Sequence, residues 1–394
     1  MNAATRNDNA NDNAKRNASY NANDNASGNK KSAYRIGYAG FVVWSALDAA
    51  ALTAFVILRQ RRAVMNAWTS RIASPAQAAL GRLCSHVPFS VMEWLCAALV
   101  VIGVGYLLWS VGAVARARGR RLRRACKSAL ILILSALSLI SVFCWMWGAY
   151  FRADSFQDKS GLRAAPVSAD ALRSVTLYFA DGLADAAGRV PRSDDNAFNV
   201  PRDEILADAP HVYDALEIEY PFLTFDDVGV KPMAFSWLMS RMDFTGFYCA
   251  CTGEANVNVA SPACFLGSTA AHEMAHQRGF ASEQECNFLG VLACLTSGDP
   301  VYEYSGYLSG YVYLYNALYS ANPDAAREIR DALPDCVRVD LARNNEYWNQ
   351  YRDGAIRKAS VKIYDGILKS YGDERGMKSY GDMVDLLVAY YADA

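Results

Sequence analysis

Three long apolar runs constrain the fold of this chain more than any other feature of its sequence. They comprise residues 36–58, 94–115 and 128–150. Each run is close to the roughly 20 residues that a helix needs to cross a bilayer. Such runs seldom occur as buried helices of soluble folds. The third run ends in Trp145, Trp147 and Tyr150, and aromatic side chains favour the membrane interface. The sequence therefore predicts a membrane domain over residues 34–150 with three transmembrane helices.

The loop between the second and third runs carries a dense basic cluster that predicts the orientation of the helices. Its members are Arg116, Arg118, Arg120, Arg121, Arg123, Arg124 and Lys127. Loops rich in Lys and Arg stay in the cytoplasm. The first loop carries more scattered arginines, which this cluster outweighs. We therefore predict a multi-pass protein of the plasma membrane with a cytoplasmic N-terminus, the lipid bilayer as a partner, and residues 151–394 outside the cytoplasm.

Composition predicts a disordered N-terminal tail and argues against nucleic-acid binding. Residues 1–33 are rich in Asn, Ala and Asp, and they contain almost no large apolar side chain. Such a segment buries too little surface to offset its ordering entropy, so we predict a disordered tail. The formal net charge is -1, and no basic face with interleaved aromatics is visible, so we predict no nucleic-acid partner.

One short motif in the predicted outer domain points to metal chemistry. The sequence reads H-E-x-x-H, with His272, Glu273 and His276 at the defined positions. Residues four apart lie on one face of a helix, so both imidazoles can bind one metal ion. Glu273 then lies where a general base acts in zinc metallopeptidases. The alternative is a helix that carries two histidines by chance.

A third zinc ligand is expected shortly after the motif. On an unbroken helix, Glu283 would lie about 10 Å along the axis from His276 and could not share the metal. Gly279 is a good helix stop, and Ser282 is a good N-cap for a second helix, so the chain is expected to turn back. Two His and one Glu form a known catalytic zinc set. Glu283 and Glu285 are both candidates, and their positions on different faces allow only one to bind.

The pattern of apolar residues predicts helices in the remainder of the outer domain, apart from one segment that predicts β-strands. Residues 244–251 and 255–260 alternate weakly around Gly253, which predicts a short hairpin or edge strands. An extended peptide can pair with such an edge, and Asn256 and Asn258 are candidate substrate contacts. Helical patterns cover residues 170–187, 201–220, 289–296, 306–319, 323–333, 356–371 and 383–391.

A dense group of tyrosines follows the motif. Tyr304 and Tyr307 are candidates for donating a hydrogen bond to an oxyanion or a substrate. Aromatic packing with wet hydroxyls is the alternative for each of them.

The stretch from residue 231 to residue 315 resembles the bacterial domain-of-unknown-function family 3810. The matching pieces are Lys231-Pro232, 236–239, 246–248, 252–258, the block 272–287 and 304–308, together with 87–90 at the second run. This resemblance implies a multi-span membrane protein with a zincin-like outer domain. Members read H-E-x-A-H-Q-R-G followed by E-x-E-A-N-F, and this chain has Cys286 at the position of that Ala.

A broader resemblance bears on the third ligand. Gluzincin peptidases carry E-x-x-x-D or E-x-x-x-N on the helix after the motif, and the first Glu binds zinc. Glu283 and Asn287 have this spacing, so the resemblance favours Glu283 and implies that Asn287 orients a histidine ligand. The distance from His276 is shorter than in most gluzincins, so Glu285 stays the alternative.

Together these features predict a mostly α fold: three transmembrane helices followed by an α-rich α+β, zincin-like extracytoplasmic domain with a small hairpin or sheet. The predicted function is that of a membrane-anchored zinc metallopeptidase, with Zn²⁺ as cofactor and a peptide or protein substrate at the outer membrane face. The alternative is a non-catalytic membrane sensor or assembly module that keeps the zinc site for structure. A catalytic site leaves one coordination position open, whereas a structural site is closed by four ligands.

Overall fold

The computed structural model of the chain describes residues 39–226, 228–371 and 380–391. The predicted tail, residues 1–33, lies outside them. The described part is mostly helical with one small sheet. Three of its helices are long and apolar enough to cross a membrane, namely Ala39–Leu58, Val91–Arg116 and Arg121–Gly148. The predicted fold class, mostly helical with three membrane helices and a small sheet, is therefore confirmed, while its zincin-like character stays a prediction.

The elements are numbered in chain order. The helices are α1 (Ala39–Leu58), α2 (Arg62–Trp68), α3 (Ser74–Ser85), α4 (Val91–Arg116), α5 (Arg121–Phe143), α6 (Phe156–Ser160), α7 (Ala169–Ala187), α8 (Arg202–Asp208), α9 (Asp214–Glu219), α10 (Ser236–Met242), α11 (Leu266–Gln277), α12 (Glu283–Thr296), α13 (Pro300–Ala321), α14 (Pro323–Ala332), α15 (Asp335–Asn349), α16 (Ala355–Tyr371) and α17 (Tyr380–Tyr391). The strands are β1 (Val230–Pro232), β2 (Gly246–Cys249) and β3 (Glu254–Val257). A π-helical turn, Cys144–Gly148, continues α5.

The chain forms two compact units, and the smaller one contains most of α1 and α5. Within this unit the hydroxyl of Ser138 donates to the carboxylate of Asp48, with oxygen–oxygen distances of 2.9 and 3.1 Å. The indole of Trp44 donates in turn to Ser138 at 2.8 Å. Asp48 is therefore buried and hydrogen-bonded, as a polar group inside a membrane helix requires.

The larger unit contains most of α4 and the described chain from residue 143 onward. A buried ion pair in the sheet connects these two segments of the unit. The carboxylate of Glu254 in β3 accepts hydrogen bonds from the N–H groups of Val91 (3.0 Å) and Met92 (2.8 Å) at the start of α4. Lys231 in β1 donates to the same carboxylate at 2.7 Å and to the backbone carbonyls of Cys84 in α3 and Phe89 before α4. A carboxylate at a helix N-terminus is electrostatically favourable, so the sheet holds the first turn of α4.

Gln77 on α3 ties the loop between the first two apolar runs to the rest of the larger unit. Its amide donates to the carbonyl of Met146 at 2.5 Å, in the π-helical turn after α5. Its side-chain oxygen accepts from the hydroxyls of Tyr150 and Tyr248, each at 3.1 Å. Gln77 is fully buried, so this contact joins α3, the end of the third apolar run and strand β2.

The sheet has the strand order β1-β3-β2. Strands β2 and β3 form the predicted antiparallel hairpin, which turns at Gly253 with φ of 69°. A Cβ at Gly253 would lie 2.1 Å from the carbonyl oxygen of Gln77, so both the backbone conformation and the close approach require glycine. Strand β1 pairs in parallel with β3 and was not predicted, because three residues are too few for a visible alternation.

One predicted helix differs from the structure, and one long helix was not predicted. The single helix predicted over residues 201–220 is wrong, because the chain divides there into α8, a short turn and α9. Pro210 lies in that turn, and proline has no N–H for a helical hydrogen bond. Helix α15 was not predicted, because its buried residues are only Val337 and Asp340, and most of its other positions are polar.

Candidate metal centre

Helix α11 presents both histidines of the motif on one face. The centroids of the His272 and His276 rings lie 4.9 Å apart. The helix ends at Gln277, and Gly279 follows with φ of 88°, which favours glycine. The hydroxyl of Ser282 caps α12 by accepting from a backbone N–H. The predicted stop and restart are therefore confirmed, and they bring Glu283, the first residue of α12, back toward the histidines.

The histidines and Glu283 converge to form one cluster. The Nε2 atom of His272 lies 3.3 Å from Oε2 of Glu283, and Nε2 of His276 lies 3.6 Å from Oε1. One donor atom from each of these residues lies within 4.8 Å of the others, a spacing at which they could hold a metal ion. Gly290 lets α12 approach this closely, since a Cβ there would lie 3.0 Å from the backbone nitrogen of His272.

The donor set fits a zinc ion. Two ligand atoms bound tetrahedrally to zinc at about 2.0–2.1 Å lie about 3.4 Å from each other, close to both nitrogen–oxygen distances in the cluster. The Nδ1 atom of His276 lies 2.7 Å from the carbonyl oxygen of Phe280. In the form that binds a metal, His276 would donate its Nδ1 proton to this carbonyl and offer the Nε2 lone pair on the side of Glu283. Two imidazole nitrogens and one carboxylate are ligands that zinc prefers.

The charge of Glu283 is set by its neighbours. Burial alone would raise the pKa of Glu283, yet the two imidazoles, by charge and by hydrogen bonding, hold that pKa well below its usual range. The hydroxyl of Tyr364 on α16 donates to Oε1 of the same carboxylate. Glu283 is therefore an ionised carboxylate with a fixed orientation, as a metal ligand must be.

Glu273 lies beside the cluster and lines the same cavity. Its side chain is only 4% exposed and packs against Gly246 of β2. Burial raises the pKa of Glu273 above its usual range, although the neighbouring imidazoles and a hydrogen bond from the N–H of Tyr248 oppose the shift. A carboxylate whose pKa is raised in this way is a better proton acceptor near neutral pH.

The contact between Glu273 and β2 gives a first prediction. A Cβ at Gly246 would lie 2.3 Å from Oε1 of Glu273, so Gly246→Ala is expected to displace this carboxylate. For the metallopeptidase predicted from the sequence, this displacement would lower hydrolysis by at least about tenfold and leave the metal content unchanged, because a small misplacement of a catalytic group costs rate. Gly366→Ala is the matched control, since a Cβ there meets no atom within 4 Å. Wild-type rates in Gly246→Ala would contradict the assigned position of Glu273.

The cluster opens onto a cavity of about 540 Å³. Its walls include the end of the third apolar run with Trp147, strand β2 with Phe247, and helix α16 with Tyr364. Cavities that bind small ligands or peptide side chains are typically about 300–1,000 Å³ in volume. The Trp147 ring meets the His276 ring edge-on with centroids 5.5 Å apart, so the wall of the cavity also packs against the cluster.

Glu285 does not join the cluster as a metal ligand. Asn287 does not orient His276. The carboxylate of Glu285 accepts from the N–H groups of Phe156 (2.9 Å) and Gln157 (3.1 Å), and so it caps α6. Asn287 lines the cavity, but Nδ1 of His276 is held by the carbonyl of Phe280 instead. Because Glu285 is buried and engaged elsewhere, Glu283 is the acid that the structure brings to the histidines.

Cys286 is the second neighbour of His276 Nδ1. Its sulfur lies 3.2 Å from Nδ1 and 3.2 Å from the carbonyl oxygen of Phe280. Burial raises the pKa of the Cys286 thiol to about 11, so the thiol is protonated at neutral pH. A neutral thiol packs here where the family pattern has Ala.

The two tyrosines proposed to contact an oxyanion lie away from the cavity. The hydroxyl of Tyr304 donates to the carboxylate of Asp340 at 2.5 Å, and the whole side chain is buried. The Tyr307 ring packs edge-on against Phe179 with centroids 5.7 Å apart. The structure therefore places both side chains in packing contacts of α13.

The two asparagines proposed to contact substrate also have structural partners. The amide of Asn256 donates to the carbonyl of Phe247 at 3.2 Å, across the hairpin. The amide of Asn258 donates to the hydroxyl of Ser240 at 2.8 Å. Both side chains are fully buried and neither lines the cavity, so they hold the hairpin against its neighbours.

Sequence reasoning missed Tyr364 and the contact of Trp147 with His276. Tyr364 lies on the buried face of α16 together with Ser360 and Leu368, at a spacing of four residues. That spacing predicts a helix with one buried face, but no local motif marks this tyrosine as part of a site. In the sequence, Trp147 indicated only a position at the membrane interface.

A family model described as "Protein of unknown function (DUF3810)" matches residues 69–388. The chain belongs to this family. The DUF3810 match begins just after α2 and ends in α17, so it includes the cluster, the cavity and the second and third membrane helices. Searches of the curated proteins and of the solved structures each found no match.

Proposed function

We propose that this protein is a membrane-anchored zinc metallopeptidase that hydrolyses peptide bonds on the extracytoplasmic side of the plasma membrane. The observation that carries the proposal is the convergence of His272, His276 and Glu283 beside the buried Glu273, at distances that suit zinc. All four side chains line one cavity.

Each residue of the cluster has a defined task in this proposal. The two histidines and Glu283 would hold zinc, which when bound supplies a Lewis acid that polarises a carbonyl and makes water nucleophilic at neutral pH. Glu273 accepts a proton from the attacking water and delivers it to the leaving amine. Tyr364 orients the Glu283 carboxylate through its hydrogen bond.

Strand β2 supports a peptide as substrate. It is an edge strand, because β3 is its neighbour in the sheet order β1-β3-β2. Residues 244–251, which include β2, line the cavity. An extended peptide that pairs with an edge strand gains main-chain hydrogen bonds and places alternate side chains in pockets.

The open cavity favours catalysis over a purely structural zinc site. Structural zinc is closed by four protein ligands, whereas catalytic zinc keeps one position for water or substrate. Among the described residues, three donors converge here, and they face a cavity rather than a fourth protein ligand. A zinc site kept only for structure would not need this opening.

The proposed orientation rests on the basic loop between α4 and α5, which favours the cytoplasm. The contact of Gln77 with Met146 and Tyr248 supports the three-span topology on which this orientation depends. With three spanning helices, the loop before α4 and the chain after α5 must lie on one side of the membrane, and Gln77 joins these two segments.

Hydrolysis by the detergent-solubilised full chain tests the proposal. We expect cleavage within a mixed-sequence peptide library, loss of cleavage after a chelator removes metal, and recovery when zinc is added back, because the water nucleophile depends on the metal. His276→Ala is expected to stay inactive after zinc is added. Cleavage that survives metal removal, or a zinc-loaded protein that cleaves nothing in the library, would contradict a metallopeptidase.

A further inference from the structure

A group of exposed aromatic side chains lies beside the first turn of α4. We define the aromatic patch as Trp94, Phe235 and Trp237. Trp94 and Trp237 are each more than half exposed, and the rings of Trp94 and Phe235 have centroids 6.3 Å apart. The guanidinium of Arg241 lies 5.6 Å from the centroid of the Trp237 ring. Tryptophan beside arginine is typical of a surface that meets lipid headgroups.

Helix α16 exposes a second apolar surface. We define the isoleucine stripe as Ile356, Ile363 and Ile367, which share one face of the helix at spacings of seven and four residues. Ile363 is 64% exposed, and the other two are also exposed. Lys358, Lys362 and Lys369 lie on the far side of α16 from the stripe, because a helix has 3.6 residues per turn. A helix with an apolar stripe and lysines on its other side is suited to lie in a membrane interface.

Both surfaces are continuous with the ends of membrane helices. Trp94 belongs to α4 itself. The last residue of α16, Tyr371, packs its ring against Phe143 at 5.6 Å and Phe151 at 5.3 Å, on either side of the end of the third apolar run. Helices α10 and α16 also pack against each other. The ends of the two membrane helices therefore specify the bilayer as the occupant of both surfaces.

The cavity reaches the isoleucine stripe. Ile367 belongs to the stripe and lines the cavity, and Phe247 on β2 also lines the cavity and is exposed. Phe143, Met146 and Trp147 form another wall, and these residues belong to the last turns of the candidate span Arg121–Gly148. The cluster is thus separated from the end of a candidate membrane segment by one aromatic side chain, that of Trp147, although 123 residues lie between Gly148 and His272 in the sequence.

We propose that the aromatic patch and the isoleucine stripe lie in the outer surface of the bilayer, and that the cavity takes the membrane-proximal segment of a polypeptide tethered to that bilayer. The cleavage part of this inference rests on the proposed peptidase function. A tether confines the substrate to the surface where the cavity opens, so its effective concentration there far exceeds that of a soluble peptide.

Lipid contact is tested first, without any need for activity. The full chain is reconstituted in vesicles of phosphatidylethanolamine and phosphatidylglycerol, with or without bromine on the upper acyl chain. The emission of Trp237 is taken as the difference between wild type and Trp237→Phe. We expect brominated lipid to reduce this emission about twofold, because interfacial side chains reach the headgroup and acyl boundary. Equal emission in both lipids would overturn the membrane contact.

Substrate presentation is tested with paired peptides. Members of a peptide library that the protein cleaves in detergent are made in two forms, one soluble and one carrying two acyl chains, and both are offered to protein in vesicles. We expect the acylated form to be cleaved at least about tenfold faster. In Trp237→Ser/Ile363→Ser this advantage is expected to fall to about twofold with the soluble rate unchanged, since neither residue lines the cavity.

The control and the remaining outcomes separate this inference from the proposed function. Leu177→Ser removes a similarly exposed apolar side chain from α7, which packs against α13 and α14, and is expected to keep the full advantage. Equal cleavage of soluble and acylated peptides overturns the surface substrate and leaves the peptidase intact. Cleavage of neither form by zinc-loaded protein overturns the peptidase and the substrate together, while the quenching result still decides the membrane contact.

Discussion

Glu273→Gln is expected to lower the rate of peptide hydrolysis on the order of 10²–10⁴-fold, the range that one general acid–base residue contributes. The amide has nearly the same shape as the carboxylate and fits against Gly246, where the native side chain packs. It cannot accept the proton of the attacking water. The substitution therefore removes the proposed base and leaves the three donors of the cluster in place.

The metal content separates this role from a structural one. Glu273→Gln is expected to retain zinc at the wild-type level, because His272, His276 and Glu283 make up the donor cluster. A variant that hydrolyses peptides at the wild-type rate would exclude Glu273 as the base. A variant that loses its zinc would make Glu273 part of the ligand set instead.

Glu254→Gln is expected to destabilise the larger unit by about 3–5 kcal/mol, the cost of removing one partner from a buried ion pair. Lys231 would keep its charge in a site where Glu254 is almost fully buried. One of the N–H groups of Val91 and Met92 would also face an amide instead of a carboxylate oxygen. Thermal unfolding of the detergent-solubilised full chain measures this effect.

An exposed ion pair of the same unit provides the matched control. Arg82 and Asp226 pair at 2.5 Å, and both side chains are 57% exposed. Asp226→Asn is expected to change the free energy of unfolding by less than about 1 kcal/mol, as is usual for exposed pairs. If Glu254→Gln unfolds at the same temperature as Asp226→Asn, the link between the sheet and α4 contributes little to stability.

Sequence alone predicts the parts of the site that depend on neighbouring residues. The spacing of His272 and His276 requires only a helix, and the turn that returns Glu283 requires only a stop at Gly279 and a cap at Ser282. All of these signals lie within twelve residues. The three apolar runs and the hairpin are local patterns as well, and the structure contains all of them.

Contacts between distant segments could not be predicted in this way. Tyr364 reaches Glu283 across 81 residues, and Lys231 meets Glu254 through the pairing of β1 with β3. Neither contact leaves a periodic signal. The place of Tyr304 away from the cavity could not be predicted for the same reason, since a helical period reveals a buried face but not whether that face meets a cavity or another helix.

The distance between the cluster and the third apolar run is the clearest case. The motif lies far from that run in the sequence. Packing of Trp147 against His276 brings the end of that run to the cluster instead. The separation of the motif and the third apolar run in the sequence therefore does not predict their distance in space. The chain after residue 150 folds back onto the end of that run.

The metal content of the purified full chain tests the central claim most directly, with wild type measured beside His276→Ala, Glu283→Ala and Glu285→Ala. We expect about one zinc per chain in the wild type, as three protein ligands and one open position imply. We expect zinc to be lost in His276→Ala and Glu283→Ala and kept in Glu285→Ala, whose carboxylate caps α6. A wild-type protein without metal, or a His276→Ala variant that keeps it, would contradict the assignment of this cluster as a zinc site.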